Sequence, residues 1–305
     1  MKGLGFGCSS LLGPKSRGEG LELLGAAFDS GIRHFDVARL YGYGDAEGLL
    51  GEFLQSKRNE VTITTKFGIQ PNKKVARYRG LVGLARGLMK VSPHLRSFIR
   101  SKKEAMIQRG VFSVDEARKQ LEVSLKELKT DHIDFYLLHD CIAQDCESHE
   151  LLQFLDLSVR QGKILQFGVG TKIDEIEKVT VQEFTKVLQF ENNILKRNIE
   201  QLPNLEGQMI FTHSPLGESF KKIKDFLDKS SSARKSWSDQ LEIPSMDSDT
   251  LSALMLQYAL HANPRGVVLF SSTHRDTIKK NARVAFDGKI NPSQIQKFIN
   301  LASKI

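Results

Sequence analysis

Short apolar runs alternate with longer amphipathic segments along most of the chain. The short runs are rich in Val, Ile, Leu and Phe, a composition that suits buried strands. We predict strands at Gly3–Ser10 (running into a glycine-rich turn), Arg33–Val37, Val61–Lys66, Ile133–His139, Lys163–Gly168, Val187–Phe190, Gln208–Thr212 and Gly266–Phe270. The longer segments repeat their apolar residues at helical spacing. We predict helices at Gly20–Ser30, Asp45–Gln55, Ser113–Lys129, Glu147–Gln161, Asp174–Val179, Asp249–His261, Thr273–Val284 and Ser293–Lys304.

The order of these elements predicts a single (β/α)8 TIM barrel domain of the α/β class over residues 1–305. Strands that alternate with helices form a parallel sheet, because each parallel strand needs a crossover connection. A doubly wound sheet is the alternative. The stretch GFGCSSLLG after the first strand lacks the third glycine of a GxGxxG motif, so a Rossmann unit is not predicted.

Local signals mark two helix ends. Gly31 follows the first predicted helix, where a glycine typically ends a helix. Ser113 is followed three residues later by Glu116, a spacing typical of a capping box at a helix start.

Two long segments interrupt the alternation. Ile69–Phe112 follows the third predicted strand, and Leu216–Asp247 follows the seventh. Connections of this length are typically functional or disordered. Both would lie over the carboxyl ends of the barrel strands, so we interpret them as lids or walls of a substrate pocket. The alternative for the serine-rich stretch Ser230–Ser238 is a solvated, disordered loop.

The composition indicates a globular protein in a reducing compartment. No apolar run approaches the roughly 20 residues needed to cross a bilayer, and the residues after Met1 do not resemble a signal peptide. The three cysteines, Cys8, Cys141 and Cys146, are an odd number and lack CxxC spacing. We therefore predict a cytoplasmic protein without structural disulfides, with no membrane partner.

A net charge of +8 comes from 44 basic and 36 acidic residues, and the excess is concentrated in Lys73–Arg109. Such a segment attracts an anionic substrate or a membrane surface, or is simply a charged surface. It lacks the interleaved aromatic residues of a base-stacking pattern, so nucleic acid is not a predicted partner.

Four polar residues follow or end adjacent predicted strands. Asp36 and Tyr41 leave the second strand, Lys66 ends the third and His139 ends the fourth. The carboxyl ends of barrel strands meet at one mouth, so the four side chains converge there. Each residue alone has a structural explanation, such as a helix cap or a loop anchor, but the joint placement indicates a catalytic site.

The types of these residues suit proton donation to a carbonyl oxygen. A tyrosine phenol, with a pKa near 10, is a poor donor unless a cation lies beside it. We predict that Lys66 lowers the pKa of Tyr41, that Asp36 pairs with Lys66, and that His139 binds the carbonyl oxygen. Because no side chain supplies a hydride, a cofactor must provide it.

The sequence resembles the aldo-keto reductase superfamily. The stretch GIRHFDVARLYGYGDAEGLLG (31–51) looks like the signature of the family, and TTKFG and DFYLLHD look like its lysine and histidine motifs. The resemblance covers nearly the whole chain. It implies a catalytic tetrad of Asp36, Tyr41, Lys66 and His139. It also implies an extended NADPH across the barrel mouth.

The resemblance also implies a set of cofactor-binding residues. These are Gly7, Cys8, Gly170, Thr171, Gln189, His213, Ser214, Pro215, Leu216, Gly217, Ser271, Ser272, Thr273, Thr277, Lys280 and Asn281. Several depart from the family pattern. Gly170 and Thr171 replace a Ser-Asn pair, and His213 replaces the aromatic ring that stacks on the nicotinamide. Ser271 and Thr277 replace basic residues at the 2′-phosphate, so NADP is favoured and NAD stays possible.

We therefore predict an NAD(P)H-dependent oxidoreductase that reduces an aldehyde, ketone or sugar carbonyl, or oxidises the matching alcohol. One alternative is a non-catalytic NADP-binding or redox-sensing subunit on the same barrel, which a broken tetrad would indicate. A metal-dependent barrel hydrolase using Asp36, His139 and Asp140 is a further alternative. It lacks the HxH pair on the first strand, where Gly5, Phe6 and Gly7 stand. No metal site is predicted, and the sequence does not give the substrate or the oligomeric state.

Overall fold

A computed structural model describes residues 3–12, 16–71, 107–179, 186–202, 205–288 and 291–305. The strands are β1 (Gly3–Gly7), β2 (His34–Asp36), β3 (Thr62–Phe67), β4 (Gln70–Pro71), β5 (Ile107–Gln108), β6 (Ile133–His139), β7 (Ile164–Gly170), β8 (Val187–Glu191), β9 (Met209–His213) and β10 (Val267–Phe270). All except β4 and β5 belong to one closed parallel barrel. The predicted TIM barrel is therefore confirmed, and the doubly wound alternative is wrong.

The barrel closes because β1 pairs with both β2 and β10. Its order around the circumference is β1-β10-β9-β8-β7-β6-β3-β2. The register places Gly7 opposite Asp36 and Gly170 opposite both His139 and Gln189. Four of these residues end their strands at the same mouth of the barrel, and Gln189 lies two residues before the end of β8. The register therefore positions the candidate site.

Ten helices surround the barrel in the described ranges. They are α1 (Arg17–Asp29), α2 (Ala46–Leu54), α3 (Val114–Leu128), α4 (His149–Arg160), α5 (Ile173–Val179), α6 (Gly217–Lys229), α7 (Ser231–Leu241), α8 (Ser248–Ala262), α9 (Arg275–Phe286) and α10 (Pro292–Ala302). Each predicted helix is present with shifted ends, and α6 and α7 were not predicted as separate helices. The main apolar core lies between the strands and the helices.

The barrel interior is filled with side chains. The ring of His34 stacks on Phe211 with centroids 4.7 Å apart, and Phe135 packs edge-on against Phe211 at 5.0 Å. Gly5 makes room for them, since a Cβ there would lie within 2.9 Å of Leu269, Val267 and His34 atoms. A packed floor of this kind closes the barrel below the mouth, so a ligand enters from the carboxyl ends of the strands.

The second inserted segment folds into two helices. Ser230 caps α7, because its hydroxyl accepts a hydrogen bond from the Ala233 amide at 3.1 Å. Trp237 lies in the middle of α7, is 5% exposed and packs in a second apolar cluster with Phe298 of α10. The disordered-loop interpretation of Ser230–Ser238 is therefore wrong, because burial of Trp237 gives the helix an apolar anchor.

The described ends of the first inserted segment are tied to the barrel. β4 and β5 pair as a short antiparallel ribbon beyond β3. Phe112 packs edge-on against Phe67 and covers Gly68, where a Cβ would lie 2.0 Å from the Phe112 ring. The lid interpretation of Ile69–Phe112 depends mainly on residues 72–106, which lie outside the described residues.

The helix ends predicted from the sequence were partly correct. α1 begins three residues earlier than predicted, because Ser16 and Glu19 form a capping box. Gly31 has φ +89° and follows the end of α1, as predicted. Ser113 is the N-cap of α3, but its side chain makes no capping hydrogen bond.

The buried ring of His34 makes stability depend on pH. Burial lowers the pKa of His34 to about 4, whereas an unfolded histidine titrates near 6.5. Between these two pH values, His34 is protonated in the unfolded state but stays neutral in the folded state. We expect the free energy of unfolding to fall by about 1.4 kcal/mol per pH unit from this residue, as the pH drops from about 6.5 to 4.

Urea unfolding at pH 7, 6 and 5 measures this effect. The variant His34→Phe should show a shallower loss of stability with falling pH than the wild type. His149 is exposed, so His149→Gln is the control and should keep the wild-type slope. Equal slopes in all three proteins would contradict the assignment.

Candidate active site

A cavity of about 530 Å³ opens at the carboxyl ends of the barrel strands. All four predicted catalytic residues line it, namely Asp36, Tyr41, Lys66 and His139. Twelve of the predicted cofactor-binding residues also line it, namely Gly7, Gly170, Thr171, Gln189, His213, Ser214, Pro215, Leu216, Gly217, Ser271, Thr277 and Asn281. Residues from strands all around the barrel thus share one pocket.

A buried ion pair lies at the base of this cavity. Lys66 Nζ donates to Asp36 Oδ1 at 2.6 Å and to the Val37 carbonyl at 3.2 Å. Gln189 Nε2 donates to the other carboxylate oxygen of Asp36 at 2.7 Å. Burial by itself lowers the pKa of Lys66, but Asp36 and Tyr41 outweigh it, so the pKa lies above its ordinary value. Lys66 therefore stays a cation at neutral pH, as predicted.

Tyr41 lies beside this cation, at the start of a short 3-10 helix, Tyr41–Gly44. The Lys66 ammonium is 5.3 Å from the centroid of its ring, and the ring of His139 stands edge-on at 6.1 Å. Burial raises the pKa of Tyr41 and Lys66 lowers it, with a net rise above the ordinary value. The predicted lowering is therefore wrong for this structure, because loss of hydration outweighs the attraction of the cation.

His139 faces Tyr41 across the cavity as a neutral imidazole. Burial, together with the nearby cations Lys66 and Arg109, lowers the pKa of His139 to about 3. Its Nδ1 is buried and has no hydrogen-bond partner within the described ranges. A buried ring nitrogen without a partner is costly unless a ligand satisfies it, so His139 is suited to hydrogen-bond a bound molecule.

His213 ends β9 on the same wall. Its Nδ1 lies 3.0 Å from the Ser214 hydroxyl, which fixes the ring. Burial lowers the pKa of His213, so its imidazole is uncharged at neutral pH. A flat neutral ring at this position can stack on a planar group, as predicted for the nicotinamide. Ser214 has φ +58°, so the chain turns sharply after β9.

The last residue of β1, Gly7, lines the cavity. The Ser271 hydroxyl donates to the Gly7 carbonyl at 2.8 Å, and a Cβ at Gly7 would lie 2.6 Å from that hydroxyl. Cys8, by contrast, is fully buried in the apolar core, where burial raises the pKa of its thiol well above the ordinary value. Its side chain does not line the cavity.

Three more predicted cofactor-binding residues, Ser272, Thr273 and Lys280, lie outside the cavity wall. Lys280 forms an exposed ion pair with Asp249 at 2.8 Å. Thr171 does line the cavity, but its hydroxyl donates to the Cys141 carbonyl at 2.7 Å. The Thr171 hydroxyl therefore donates its proton within the protein and not to the cavity.

Two helices present their N-termini to this cavity. Gly217 starts α6, and Thr277 and Asn281 lie in the first two turns of α9. Neither helix has a side-chain hydrogen bond at its N-cap. The amides of an uncapped first turn attract anions. The wall therefore suits the phosphate groups of an anionic ligand.

Comparison with known proteins identifies the family. The model of the Aldo/keto reductase family matches residues 3–302. The chain belongs to this family. Its tetrad-bearing cavity therefore lies in an aldo/keto reductase barrel.

Curated relatives of this aldo/keto reductase carry the names of oxidoreductases. A probable aldo-keto reductase from Glycine max is 29% identical over 71% of this chain and 56% of its own length. The uncharacterized oxidoreductase YqkF of Bacillus subtilis is 23% identical over 96% of this chain and 90% of its own length. A D-threo-aldose 1-dehydrogenase from a Pseudomonas species is 29% identical over 59% of this chain. The chain spans about half the length of the soybean and Pseudomonas proteins.

Solved structures share the fold of this aldo/keto reductase at low identity. An aldo-keto reductase from Bacillus halodurans in its holo form has a TM-score of 0.74 and 18% identity, covering 98% of this chain and 91% of its own. An aldo-keto reductase from Klebsiella pneumoniae, in complex with NADPH, has a TM-score of 0.66 and 18% identity, covering 99% and 91%.

The cavity of this aldo/keto reductase includes wall residues that the sequence did not reveal as cofactor contacts. These are Ser9, Asp140, Leu269 and Phe270. Asp140 forms an ion pair with Arg109 at 2.9 Å on the side of the cavity near His139. The sequence could have indicated these four wall residues, because each lies within three residues of a strand end at the mouth of the barrel.

None of the described helices is long and apolar enough to cross a membrane. The described residues also contain no group of three or more His, Cys, Asp and Glu side chains placed to hold a metal ion.

Proposed function

We propose that this protein is an NADPH-dependent oxidoreductase that reduces an aldehyde, ketone or sugar carbonyl, or oxidises the matching alcohol, with Tyr41 as the proton donor. The observation that carries the proposal is the convergence of Asp36, Lys66, Tyr41 and His139 on one cavity. A cation, a phenol and a neutral imidazole around one pocket are the groups that protonation of a developing alkoxide requires.

The roles of the four residues follow from their contacts. The Nδ1 or Nε2 of neutral His139 hydrogen-bonds the substrate carbonyl oxygen and orients it toward Tyr41. The phenol of Tyr41 donates its proton to that oxygen as negative charge develops there. Lys66, a cation held by Asp36 at 2.6 Å, stabilises the phenolate that remains. In the oxidative direction the same phenolate accepts the proton.

The cofactor proposal is supported by the shape and chemistry of the wall. The uncapped N-termini of α6 and α9 suit the phosphates, and His213 lies where a planar ring can stack on it. When bound, the reduced nicotinamide supplies the hydride. The solved Klebsiella relative contains NADPH, and a Schizosaccharomyces pombe relative is named for NADP(+).

The names of several relatives suggest which substrates to test first. They include a D-threo-aldose 1-dehydrogenase, a 6-dehydroglucose reductase and a pyridoxal 4-dehydrogenase. These names point to polar, hydroxylated carbonyl compounds, namely sugars and pyridoxal. The polar mouth around Asp140 and Arg109 fits the same class of molecule.

Cofactor binding and turnover test this proposal together. Titration of the protein with NADPH, followed by nicotinamide fluorescence, should show saturable binding that is tighter than binding of NADH. Oxidation of NADPH at 340 nm should then depend on an added carbonyl from a panel of aldoses, pyridoxal and simple aldehydes. Equal or tighter binding of NADH would contradict the cofactor assignment. Binding of NADPH without turnover of any compound in either direction would instead fit the non-catalytic alternative.

A further inference from the structure

A second buried charged cluster lies directly behind the catalytic tetrad. At its centre is Glu47, a residue of α2 that is 0% exposed. Its Oε2 accepts a hydrogen bond from Arg39 Nη1. Its Oε1 accepts two more, from the hydroxyls of Thr65 and Ser124, each at 2.7 Å. We call Glu47, Arg39, Thr65 and Ser124 the Glu47 cluster.

The members of the Glu47 cluster flank the tetrad in the sequence. Arg39 precedes Tyr41 by two residues, on the loop that leaves β2. Thr65 precedes Lys66 on β3, and successive side chains of a strand point to opposite faces. Lys66 therefore points into the mouth while Thr65 points outward to Glu47. One carboxylate thus connects the loop that carries Tyr41 to the strand that carries Lys66.

The loop between β2 and α2 is also tied to β3 through its backbone. Its described backbone bonds to β3 are those of the Val37 amide to the Thr64 carbonyl, at 2.8 Å, and of the Arg39 amide to the Lys66 carbonyl, at 3.5 Å. The Tyr41 amide bonds within the loop, to the Ala38 carbonyl. The side chain of Arg39 adds a link from this loop to Glu47 of α2.

Stability alone does not account for this cluster. A buried ion pair loses hydration on both partners, and well-packed apolar residues are often equally stable in its place. A hydrogen-bonded pair does fix geometry, because each partner accepts only a narrow range of positions. The Arg39–Glu47 pair therefore has a positional consequence that an apolar pair would lack.

We propose that Glu47 is a positioning residue: through Arg39 and Thr65 it holds the phenol of Tyr41 in line with Lys66 and His139. This inference rests on the proposed function and adds a residue outside the cavity to it. Displacing a reacting group by about 1 Å can cost roughly 100-fold in rate. Loss of the Glu47 charge should therefore lower turnover by displacing Tyr41, although Glu47 itself does not line the cavity.

The variant Glu47→Gln tests this, because it keeps the size of the side chain and removes the charge. We expect kcat for carbonyl reduction to fall by roughly 10- to 100-fold, with the Kd for NADPH within about twofold of the wild type. The control is Asp134→Asn. Asp134 forms another buried ion pair, with Arg58 at 2.7 Å, at the opposite end of the barrel. The Asp134→Asn protein should be less stable than the wild type but keep the wild-type kcat.

A double variant separates the effect of Glu47 on the position of Tyr41 from its effect on the stability of the protein. Arg39→Met combined with Glu47→Gln removes both buried charges, so it should regain stability relative to Glu47→Gln while kcat stays low. A folded Glu47→Gln protein with wild-type kcat would overturn the inference. So would an equal loss of kcat in Asp134→Asn, or full recovery of kcat in the double variant.

A readout without turnover distinguishes this inference from the proposed function. In protein labelled with ¹³C-tyrosine, the ring signal of Tyr41 is the one missing from Tyr41→Phe. That signal should shift in Glu47→Gln and stay in place in Asp134→Asn, whether or not any carbonyl is reduced. An inactive wild type would contradict the proposed function. An unmoved Tyr41 signal in Glu47→Gln would contradict the positioning role.

Discussion

Replacing Tyr41 with phenylalanine should lower kcat for carbonyl reduction by about 10²- to 10⁴-fold, the range typical of a lost general acid. The reason is geometric. Tyr41 is the only phenol on the described wall of the cavity, and it lies between the Lys66 cation and the ring of His139. Binding of NADPH should be nearly unchanged, because the substitution removes one oxygen and keeps the ring. Steady-state kinetics and fluorescence titration measure the two quantities separately.

A matched control removes a phenolic oxygen elsewhere. The hydroxyl of Tyr258 donates to Glu200 at 2.9 Å within the second apolar cluster, away from the cavity wall. Tyr258→Phe should therefore retain full turnover. If Tyr41→Phe turns over substrate as fast as Tyr258→Phe, Tyr41 is not the proton donor.

The pH dependence of the two reaction directions gives an independent check on Tyr41. Burial holds the pKa of its phenol above the ordinary value, so the phenol stays protonated at neutral pH. Reduction needs the phenol and should decline only at alkaline pH, while oxidation needs the phenolate and should rise there. A reductive rate that falls between pH 6 and 8 would contradict this assignment.

Replacing Lys66 with methionine should have the second largest effect, because it acts on both activity and stability. Among the described residues, Asp36 would keep the hydrogen bond from Gln189 but lose its cation. Breaking a buried ion pair in this way costs about 3–5 kcal/mol. The pKa of Tyr41 should rise further, because Lys66 lowers it at present. Turnover should fall with it, since the phenolate loses its stabilising cation.

Thermal unfolding and kcat together test this prediction. Adding Asp36→Asn to Lys66→Met removes the unpaired charge, so the double variant should recover much of the lost stability. Its kcat should stay low, because the cation is still missing. Recovery of turnover in the double variant would show that Lys66 acts only by keeping the protein folded.

The fold could be predicted because its signals are local. Runs of β-branched and apolar residues separated by helical periodicity predict strands and helices in alternation, and eight such units fit one closed barrel. The main errors lie where the local pattern was weak. The serine-rich stretch of α7 resembles a loop until Trp237 is seen buried against Phe298, a contact between residues far apart in the sequence.

The candidate tetrad could also be predicted, since side chains at the ends of parallel strands must meet at one mouth. Thus Asp36, Lys66 and His139 were placed correctly from their strand positions alone, and Tyr41 from its place in the following loop. The bond from Gln189 to Asp36 was not predicted. It joins strands that lie apart in the barrel order, so it depends on how side chains meet across the mouth.

By itself, then, the sequence determined the barrel, the residues at its mouth and the family to which the chain is similar. The tertiary structure decided which of these residues face the cavity, leaving Cys8 in the core and Lys280 on the surface. It also reversed the expected direction of the pKa of Tyr41. A neighbouring charge can be inferred from strand positions, but loss of hydration depends on everything that packs around a group, and only the folded chain fixes that.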